Sequence, residues 1–265
     1  MRVLTWNLWW RYGPWQSRYE AIAATLAEVS PDLCGLQEVW DAGGQNLAED
    51  LAGRLGMQWC WGEAAAGHDR DGNDALIGNA ILSRWPIGGQ DVLPLPTANI
   101  GEGRIALHAR IDAPGGALPM FTTHLSYRPG ASQVRTAQVR EIAPFVADRL
   151  ADSAYPPVVT GDLNAEPDSD ELRLLGGLLT APVVTGLVLV DAWRYADPAD
   201  PGFTWDHRNG YQAGSMIPDS RIDYILVGLP RQRRGRVESV RLAGNAPVDG
   251  VWPSDHFAVV TDLSD

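Results

Sequence analysis

Short apolar runs, many of them rich in β-branched residues, recur along the whole chain and are separated by clusters of glycine and proline. Such runs predict β-strands, since β-branched side chains pack well on a pleated surface, and the Gly/Pro clusters predict the turns between them. The predicted strands cover residues 2–8, 33–37, 76–83, 104–111, 118–124, 157–161, 222–227 and 257–261. This succession restricts the chain to an architecture built around β-sheets.

Two longer segments have helical periodicity instead. Apolar residues recur every three or four positions in residues 18–29 and 132–150, which predicts amphipathic helices. Many strands with a few interspersed helices predict two sheets packed face to face, with the helices outside them. We therefore expect an α/β (α+β) fold that forms a single domain over residues 1–265, because no low-complexity linker divides the chain.

The charged residues exclude several functions. The 21 basic residues are all arginine, and 33 Asp and Glu give a formal net charge of −12. The absence of lysine excludes Schiff-base chemistry and a Walker-type phosphate loop, and the negative charge argues against broad coating of DNA or membranes. The N-terminal residues lack a signal-peptide pattern, and no apolar run is long enough to span a bilayer. We expect a cytoplasmic protein with no transmembrane segment, and the sequence indicates no obligate protein partner.

Polar side chains suited to a metal ion or a phosphate group stand at or near the ends of several predicted strands. Each of them alone is more typical of a turn, a helix cap or a solvated surface. As a set they indicate one site, since the ends of neighbouring strands can converge on a sheet edge that holds catalytic groups rigidly. The set consists of Asn7, Glu38, His124, Asp162, Asn164, Asp223, Asp255 and His256.

Part of this set fits a magnesium site. Glu38 and Asp255 supply carboxylate oxygens and Asn7 supplies an amide carbonyl, which are ligands that Mg²⁺ prefers. With so few protein ligands, the ion would keep several waters and take an oxygen of a substrate phosphate. No His/Cys cluster has the spacing of a zinc site and no G-x-S-x-G motif occurs, which argues against a zinc site and a serine esterase.

The two histidines of the set are suited to moving protons. His124 and His256 are of the residue type that titrates near neutral pH, so either can transfer a proton or donate a hydrogen bond to a phosphoryl oxygen. A buried carboxylate such as Asp223 can hold one imidazole in a fixed tautomer. The set therefore predicts acid–base chemistry beside the metal site.

The order of these motifs resembles the endonuclease/exonuclease/phosphatase superfamily, whose best-known fold is that of DNase I. The resemblance covers nearly the whole chain, through Asn7, QE at 37–38, THL at 123–125, GDLN at 161–164, RIDYIL at 221–226 and SDH at 254–256, with supporting blocks at 78–87 and 203–209. It implies a four-layer α/β/β/α sandwich. It also implies hydrolysis of a phosphoester by water with Mg²⁺ or, as a substitute, Mn²⁺, most consistent with a phosphodiesterase or nuclease.

The resemblance further implies how the motif residues would hold the metal ion and the phosphate. Glu38 would bind the ion, assisted by Asn7 and Asp255, and Asn164 and His124 would bind the non-bridging phosphate oxygens. The physical argument agrees, because a metal ion and hydrogen-bond donors neutralise the charge that develops around phosphorus.

The proton transfer involves a second group of residues. His256, oriented by Asp223, would act as general base or share a proton with the scissile phosphate, and Asp162 would position or deprotonate the attacking water. A positioned base contributes roughly 10²–10⁴-fold to such a reaction. The sequence leaves open which of Asp162 and His256 takes the proton.

Features that bear on the substrate are weaker. Exonuclease III-type enzymes usually carry a Tyr in a segment N-x-Y-x-P-N where this chain has Thr123-His124-Leu125, which argues against abasic-site repair. Arg128, on a Pro-Gly loop, is a candidate for binding a phosphate, with a solvated loop as the alternative. The basic run at 231–236 is either a solvated loop or a nucleic-acid or phospholipid contact, and the tryptophans at 9, 10 and 15 are candidates for a stacking rim.

The substrate class therefore stays open between nucleic acid, a phospholipid head group and a small phosphate ester. A phosphomonoesterase, or a hydrolase of the sphingomyelinase or inositol-phosphate type, is the alternative on the same scaffold. A glycoside hydrolase with a tryptophan platform, or a non-catalytic binding module, is the alternative from another class. The presence of the complete metal and histidine set argues against both.

Overall fold

A computed structural model describes residues 1–69, 72–97, 102–231 and 233–265. The strands are β1 Arg2–Asn7, β2 Leu33–Ala42, β3 Gln45–Asn46, β4 Gln58–His68, β5 Asp74–Ser83, β6 Ile87–Pro94, β7 Ile105–Ala113, β8 Gly116–His124, β9 Val158–Asp162, β10 Leu189–Asp191, β11 Asp223–Gly228, β12 Val237–Ala243 and β13 Ala258–Leu263. The helices are α1 Trp15–Val29, α2 Leu47–Leu55, α3 Ser132–Ala147 and α4 Asp170–Gly176, and a 3₁₀ turn covers Ala192–Tyr195. None of the helices within the described residues has the length and apolar character that crossing a membrane requires.

The strands form two mixed sheets. The first sheet has seven strands in the order β12, β13, β1, β2, β5, β4, with β3 joined to β2, and the second has six in the order β10, β11, β9, β8, β7, β6. β1 runs parallel to β2 and β8 runs parallel to β9. A parallel pair needs a long crossover, which contains α1 between β1 and β2 and α3 between β8 and β9.

Successive side chains along the central strands face different cores. In β1, Val3 faces the core between the two sheets, whereas Leu4 packs with residues of α1 and α2. In β9, Val158 and Val159 divide in the same way between the inner core and the core that contains residues of α3 and α4. The layers are therefore helices, first sheet, second sheet and helices, which confirms the predicted four-layer α/β/β/α sandwich.

All of the predicted strands and both predicted helices are present, with shifts at their ends. The prediction misses β3, β4, β6, β10 and β12, of which β4, β12, β6 and β10 are the edge strands of the two sheets. An edge strand buries fewer side chains, so its apolar pattern is weak: most residues of β6, for example, are exposed. The short helices α2 and α4 are missed as well.

The contact between the sheets becomes polar toward the end where the parallel strands stop. Gln37 donates from Nε2 to Thr5 Oγ1 at 3.2 Å and to Thr122 Oγ1 of the second sheet at 2.8 Å. Gly35 permits a close approach, because a Cβ there would lie only 1.9 Å from Thr160 Oγ1. These buried contacts fix the two sheets relative to each other at the end that carries the predicted site residues.

Candidate active site

The parallel strands bring four of the predicted residues to one end of the sandwich. β1 ends at Asn7, and the neighbouring β2 reaches Glu38 one residue beyond the register partner of Asn7. In the second sheet β8 and β9 end at His124 and Asp162, which are register partners. Because the ends of parallel neighbours meet at the same edge, both sheets present polar side chains here.

The antiparallel strands add three more residues at the same end, because they begin where the parallel strands stop. Asp223 is the first residue of β11 and is the register partner of Asp162 on β9. Asp255 and His256 lie shortly before β13, which begins at Ala258 and runs antiparallel to β1. The topology therefore accounts for a cluster drawn from distant parts of the chain.

A bulge in β2 directs Glu38 toward this cluster. The register of β2 with β5 shifts between Leu36 and Val39, and Glu38 has φ of 53°. A bulge re-aims a side chain out of the regular alternation of a strand. Trp9 and Asn164 also have left-handed φ values, 56° and 48°. Backbone strain of this kind is typical of functional sites.

An open cavity of about 550 Å³ lies at this end of the sandwich. All of the motif residues except Asp223 line it: Asn7, Glu38, His124, Asp162, Asn164, Asp255 and His256. Asp223 is fully buried and contacts His256. Aromatic and apolar side chains, Trp9, Tyr12, Tyr127, Trp205 and Ile217, line other parts of the cavity. The cavity therefore combines a charged region with apolar surface.

His256 and Asp223 form a buried pair. Nδ1 of His256 lies 2.9 Å from Asp223 Oδ2, and the edge-on ring of Trp205 lies 5.1 Å from the imidazole. Burial opposes a charge on His256, but the negative charges of Asp223, Asp255 and Asp162 outweigh it and raise its pKa well above the ordinary value. The imidazole is therefore held in a fixed orientation with a strong tendency to stay protonated.

The pKa values of the carboxylates around His256 are raised as well, which in their case favours the neutral form. Burial, reinforced by the negative charge of Asp223, raises the pKa of Asp162 to about 7. Burial likewise raises the pKa of Asp255 to about 7, with Glu38 adding repulsion. The pKa of Glu38 is also raised, chiefly by burial. These groups repel one another when ionised, so a bound cation would stabilise the cluster.

Asn7 bridges the carboxylates through its amide nitrogen. Nδ2 lies 3.0 Å from Asp162 Oδ2 and 3.4 Å from Glu38 Oε1, while Oδ1 accepts a hydrogen bond from the Trp9 backbone N–H at 2.9 Å. In this orientation the carbonyl oxygen of Asn7, the predicted metal ligand, faces the Trp9 backbone. The amide instead holds two carboxylates together.

His124 is a neutral counterpart of His256. Its Nε2 lies 3.4 Å from Asp162 Oδ2 and its Nδ1 lies 4.0 Å from Glu38 Oε1. Burial lowers the pKa of His124 well below the ordinary value, and the positive charges of Arg104 and His256 add to the effect. The two histidines of the site are therefore distinguished by charge, which their sequence contexts do not reveal.

The residues present fit a divalent cation. Glu38 Oε2 is buried and, within the described part of the chain, has no hydrogen-bond partner. Such an oxygen suits a hard cation that takes carboxylate ligands. The raised pKa of Asp255 likewise indicates a carboxylate that a cation would stabilise in its ionised form. A second candidate group overlaps the first: ligand atoms of Asp162, Asp223 and His256 lie within 4.8 Å of one another. The hydrogen bond between Asp223 and His256 already engages two of those side chains.

Arg128 does not line the cavity. Its Nε lies 3.1 Å from Glu102 Oε1, its side chain is 52% exposed, and its guanidinium lies 5.9 Å from the ring of Tyr127, which does line the cavity. The structure thus places Arg128 beside the cavity mouth and pairs it with a carboxylate. Its contact with a phosphate stays a prediction.

The other substrate-related features divide. The described arginines of the run at 231–236 do not line the cavity, and Gln232 of that run lies outside the described residues. Trp9 does line the cavity, Trp10 is buried, and Trp15 packs edge-on against a core tryptophan. Only one of the three tryptophans therefore reaches the cavity wall.

Sequence reasoning missed Trp205 and Glu171 of the cavity and Arg18, which supports it. Trp205 could have been found, since it lies in the FTWDHRN block before RIDYIL. Arg135 and Glu171 form a buried ion pair of 2.9 Å that lines another wall. Arg18 is 1% exposed and holds the loop after β1 by donating to backbone carbonyls of Leu8, Trp9, Trp10, Tyr12 and Pro253. An arginine on an amphipathic helix gives no sequence signal of such a role.

The fold and the convergence of these motifs define a class of protein. Residues 4–256 match the sequence profile of the endonuclease/exonuclease/phosphatase family, and the chain belongs to this family, as its motifs predict.

Individual relatives are distant. Human nocturnin is 22% identical over 261 residues, which cover 94% of this chain and 58% of nocturnin, so the chain spans about three fifths of that relative. An endonuclease/exonuclease/phosphatase from Beutenbergia cavernae superposes with a TM-score of 0.74 at 27% identity, covering 100% of this chain and 71% of that one. D. rerio TDP2 complexed with a single-strand DNA product superposes with a TM-score of 0.75 at 18% identity, covering 100% of this chain and 99% of that one.

Proposed function

We propose that this protein is a metal-dependent phosphodiesterase in which water attacks the phosphorus of a phosphodiester. One observation carries the proposal: a buried His256–Asp223 pair and the carboxylates of Glu38, Asp162 and Asp255 meet at one open cavity. A proton-transferring pair next to a group of cation-binding carboxylates suits attack of water on a phosphate. Membership of the endonuclease/exonuclease/phosphatase family supports the same reaction class.

The charge states support a division of labour between His256 and Asp162. Nδ1 of His256 is engaged by Asp223, so Nε2, 3.8 Å from Asp162 Oδ2, is the nitrogen available to a substrate. Because the pKa of His256 is raised, Nε2 carries a proton at neutral pH and donates to a phosphoryl oxygen. Asp162, with a pKa of about 7, is better suited to accept the proton of the attacking water.

Two further residues contact the phosphate in this proposal. His124, neutral because its pKa is lowered, keeps one N–H and donates it to a non-bridging oxygen. Asn164 lines the same cavity, and its backbone N–H donates to Asp162 Oδ1 at 3.0 Å. That hydrogen bond orients the Asp162 carboxylate while the Asn164 side chain meets the substrate.

Mg²⁺, with Mn²⁺ as a substitute, is the ion that we propose. Glu38 and Asp255 would hold it, and Asn7 would contribute its carbonyl after a rotation of the amide that exchanges Oδ1 and Nδ2. When bound, such an ion neutralises the charge that develops on the phosphoryl oxygens. Carboxylate and amide oxygens match its preference for hard ligands.

The substrate that we favour is the end of a nucleic acid strand rather than a long duplex. Among the described residues of the cavity lining, Glu171 is buried and paired with the single arginine, Arg135, whereas the carboxylates of Glu166 and Asp170 are exposed. These carboxylates would repel an extended polyanion but leave room for a terminal phosphodiester with its base against an aromatic wall. The complex of D. rerio TDP2 with a single-strand DNA product supports this class.

A phospholipid head group is the second candidate, on a specific observation. Ile217 lines the cavity and is 46% exposed, and its neighbour Met216 is 99% exposed. Adjacent exposed apolar side chains at a cavity mouth suit contact with lipid chains. The two candidates differ in the group attached beyond the scissile ester, a nucleoside in one case and a lipid in the other.

A substrate panel with controlled metal tests the proposal. We expect protein freed of metal by chelation to hydrolyse bis-p-nitrophenyl phosphate only after Mg²⁺ or Mn²⁺ is returned, and p-nitrophenyl phosphate much more slowly. Single-stranded DNA, duplex DNA, sphingomyelin and inositol phosphates then separate the substrate classes. Undiminished hydrolysis after complete chelation would contradict the metal-dependent mechanism, and a preference for the monoester would contradict the phosphodiesterase.

A second His–Asp pair supplies a matched control. His207 and Asp219 also pair through Nδ1, but both lie outside the cavity lining. We expect Asp223→Asn to abolish most turnover and Asp219→Asn to leave it unchanged. Equal effects of the two substitutions would show that the Asp223 pair has no catalytic role.

A further inference from the structure

A second cavity borders α4, which also contributes residues to the candidate active site. It has a volume of about 120 Å³, and three arginines, Arg173, Arg194 and Arg221, line it. None of the described residues lines both cavities, and the residues of α4 divide between the two. Glu171 and Ile222 line the candidate active site, whereas Arg173 and Arg221 line the second cavity.

Arg221, which lines this cavity, has an unused donor. Its side chain is 9% exposed, and its NH1 group donates to Asp191 Oδ2 at 2.7 Å. Nε is buried and, among the described residues, has no hydrogen-bond partner. The other oxygen of Asp191 accepts from the Trp193 backbone N–H at 2.9 Å. A buried donor of a charged group without a partner is uncommon and points to an acceptor from outside the chain.

The charge around the cavity is positive although the chain as a whole is acidic. Arg194 is exposed and forms no ion pair with any described residue, and Arg173 has only a 3.8 Å contact with the exposed Asp170. Among the described residues that line the cavity, Asp191 is the only acidic one. Three guanidinium groups against one carboxylate favour an anion, in a protein whose net charge is −12.

The rest of the lining is aliphatic. Leu172, Leu189 and Leu226 belong to the core beneath the second sheet, and they form part of the cavity wall. Leu178 and Leu179 follow the end of α4 at the rim and are 52% and 65% exposed. A ligand with an apolar part next to its charge would cover these side chains, which inorganic phosphate would not.

We propose that this second cavity binds a short aliphatic carboxylate. The carboxylate pairs with the guanidinium groups of Arg221 and Arg194, and the aliphatic chain contacts Leu178 and Leu179. The volume of about 120 Å³ suits a carboxylate with a few carbons inside the cavity and the rest of the chain at the rim. The proposal is independent of the reaction at the candidate active site.

The Arg221 Nε–H signal in a ¹H–¹⁵N spectrum of the full chain tests this proposal directly. Its loss in Arg221→Lys, which keeps a cation next to Asp191, assigns the signal. We expect hexanoate and butyrate to shift it saturably, hexanoate binding several-fold more tightly than acetate, with sodium chloride as the ionic-strength control. No saturable shift would overturn the proposal, and so would phosphate or acetate binding as tightly as hexanoate.

Surface variants test the site without disturbing the buried arginine. We expect Arg194→Gln to weaken hexanoate binding by roughly fivefold, since one exposed charge is lost. Leu179→Ser should weaken hexanoate but not acetate binding. Arg241→Gln, an exposed arginine on β12 away from the cavity lining, should leave both affinities unchanged. Equal affinities in Arg194→Gln and in the unsubstituted protein would contradict the assigned site.

Discussion

Carboxylates near the two ends of the antiparallel pair β1 and β13 have pKa values that are shifted in opposite directions. β1 begins at Arg2 and ends at Asn7, while β13 follows His256 and runs back to Asp262 beside Arg2. At the cavity end, burial raises the pKa of Asp255 to about 7. At the far end, hydrogen bonds from Arg2 and Ser239 hold the pKa of Asp262 below its ordinary value.

The difference separates residues that stabilise the fold from residues that are buried although their ionised form favours contact with water. Arg2 and Asp262 lie 2.8 Å apart and about a third exposed, so each satisfies the other in contact with water. The cavity carboxylates are buried, repel one another and lower the stability of the ionised fold. A group retained in such a state is more consistent with chemistry than with folding. Substitutions at the cavity end and at the far end of the sandwich test this comparison.

The largest expected effect is on turnover. His256→Ala removes the buried proton donor, and we expect kcat/KM for bis-p-nitrophenyl phosphate to fall by about 10³-fold while the circular dichroism spectrum stays that of the folded protein. Arg2→Gln, at the other end of the same sheet, should change kcat/KM by less than about twofold, because its ion pair is remote from the cavity. Comparable losses in both variants would show that the ends are not functionally distinct.

Metal binding should come next in size. A saturating divalent ion relieves the repulsion among the cavity carboxylates, and at 100 times its Kd it adds about 2.7 kcal/mol to the free energy of unfolding. We expect Mg²⁺ to raise Tm by roughly 5–10 °C over the chelated protein. Glu38→Gln should lose most of this shift. The exposed Glu20→Gln should keep it, and a shift that survives Glu38→Gln would place the ion elsewhere.

Removing one repelled carboxylate should stabilise the chelated protein. The pKa of Asp255 is about 7 in the fold against an ordinary 3.8, so the unfolded chain ionises first and stability falls as pH rises through this range. Asp255→Asn removes that loss, and we expect about 1–3 kcal/mol of added stability at pH 8 and none near pH 4. Urea denaturation at both pH values measures the difference. A destabilised variant at pH 8 would contradict the electrostatic account.

The sequence predicts the fold well where burial is two-sided and poorly where it is not. Central strands such as β1 and β9 have continuous apolar runs because both of their faces are covered. The edge strands β4 and β6 keep many exposed residues, so no alternating or continuous pattern marks them. The prediction of a single domain and that of a cytoplasmic location stay predictions.

For the candidate site, the sequence predicts which residues belong to it better than it predicts their pKa values. Polar residues at strand ends are visible in the sequence, and the topology brings them to one cavity. The opposite pKa shifts of His124 and His256 depend on the burial of each ring and on the charges around it, which only the three-dimensional arrangement gives. The support that Arg18 gives also escapes prediction, because its acceptors are backbone carbonyls of the loop before α1 and of Pro253. The catalytic and metal-binding roles of the set stay predictions.

The smallest expected effect is on the free energy of unfolding at the far end, and its sign should be opposite to that of Asp255→Asn. Because the pKa of Asp262 is lowered in the fold, its pair with Arg2 stabilises the protein above the ordinary carboxyl pKa, and this stabilisation is lost as pH falls through the folded value. We expect Asp262→Asn to reduce the free energy of unfolding by about 0.5 kcal/mol at pH 8 and by less in high salt, as for other half-exposed pairs. Urea denaturation beside Asp255→Asn measures both. If Asp262→Asn stabilised the protein at pH 8 as Asp255→Asn is expected to do, the contrast between the two ends would fail.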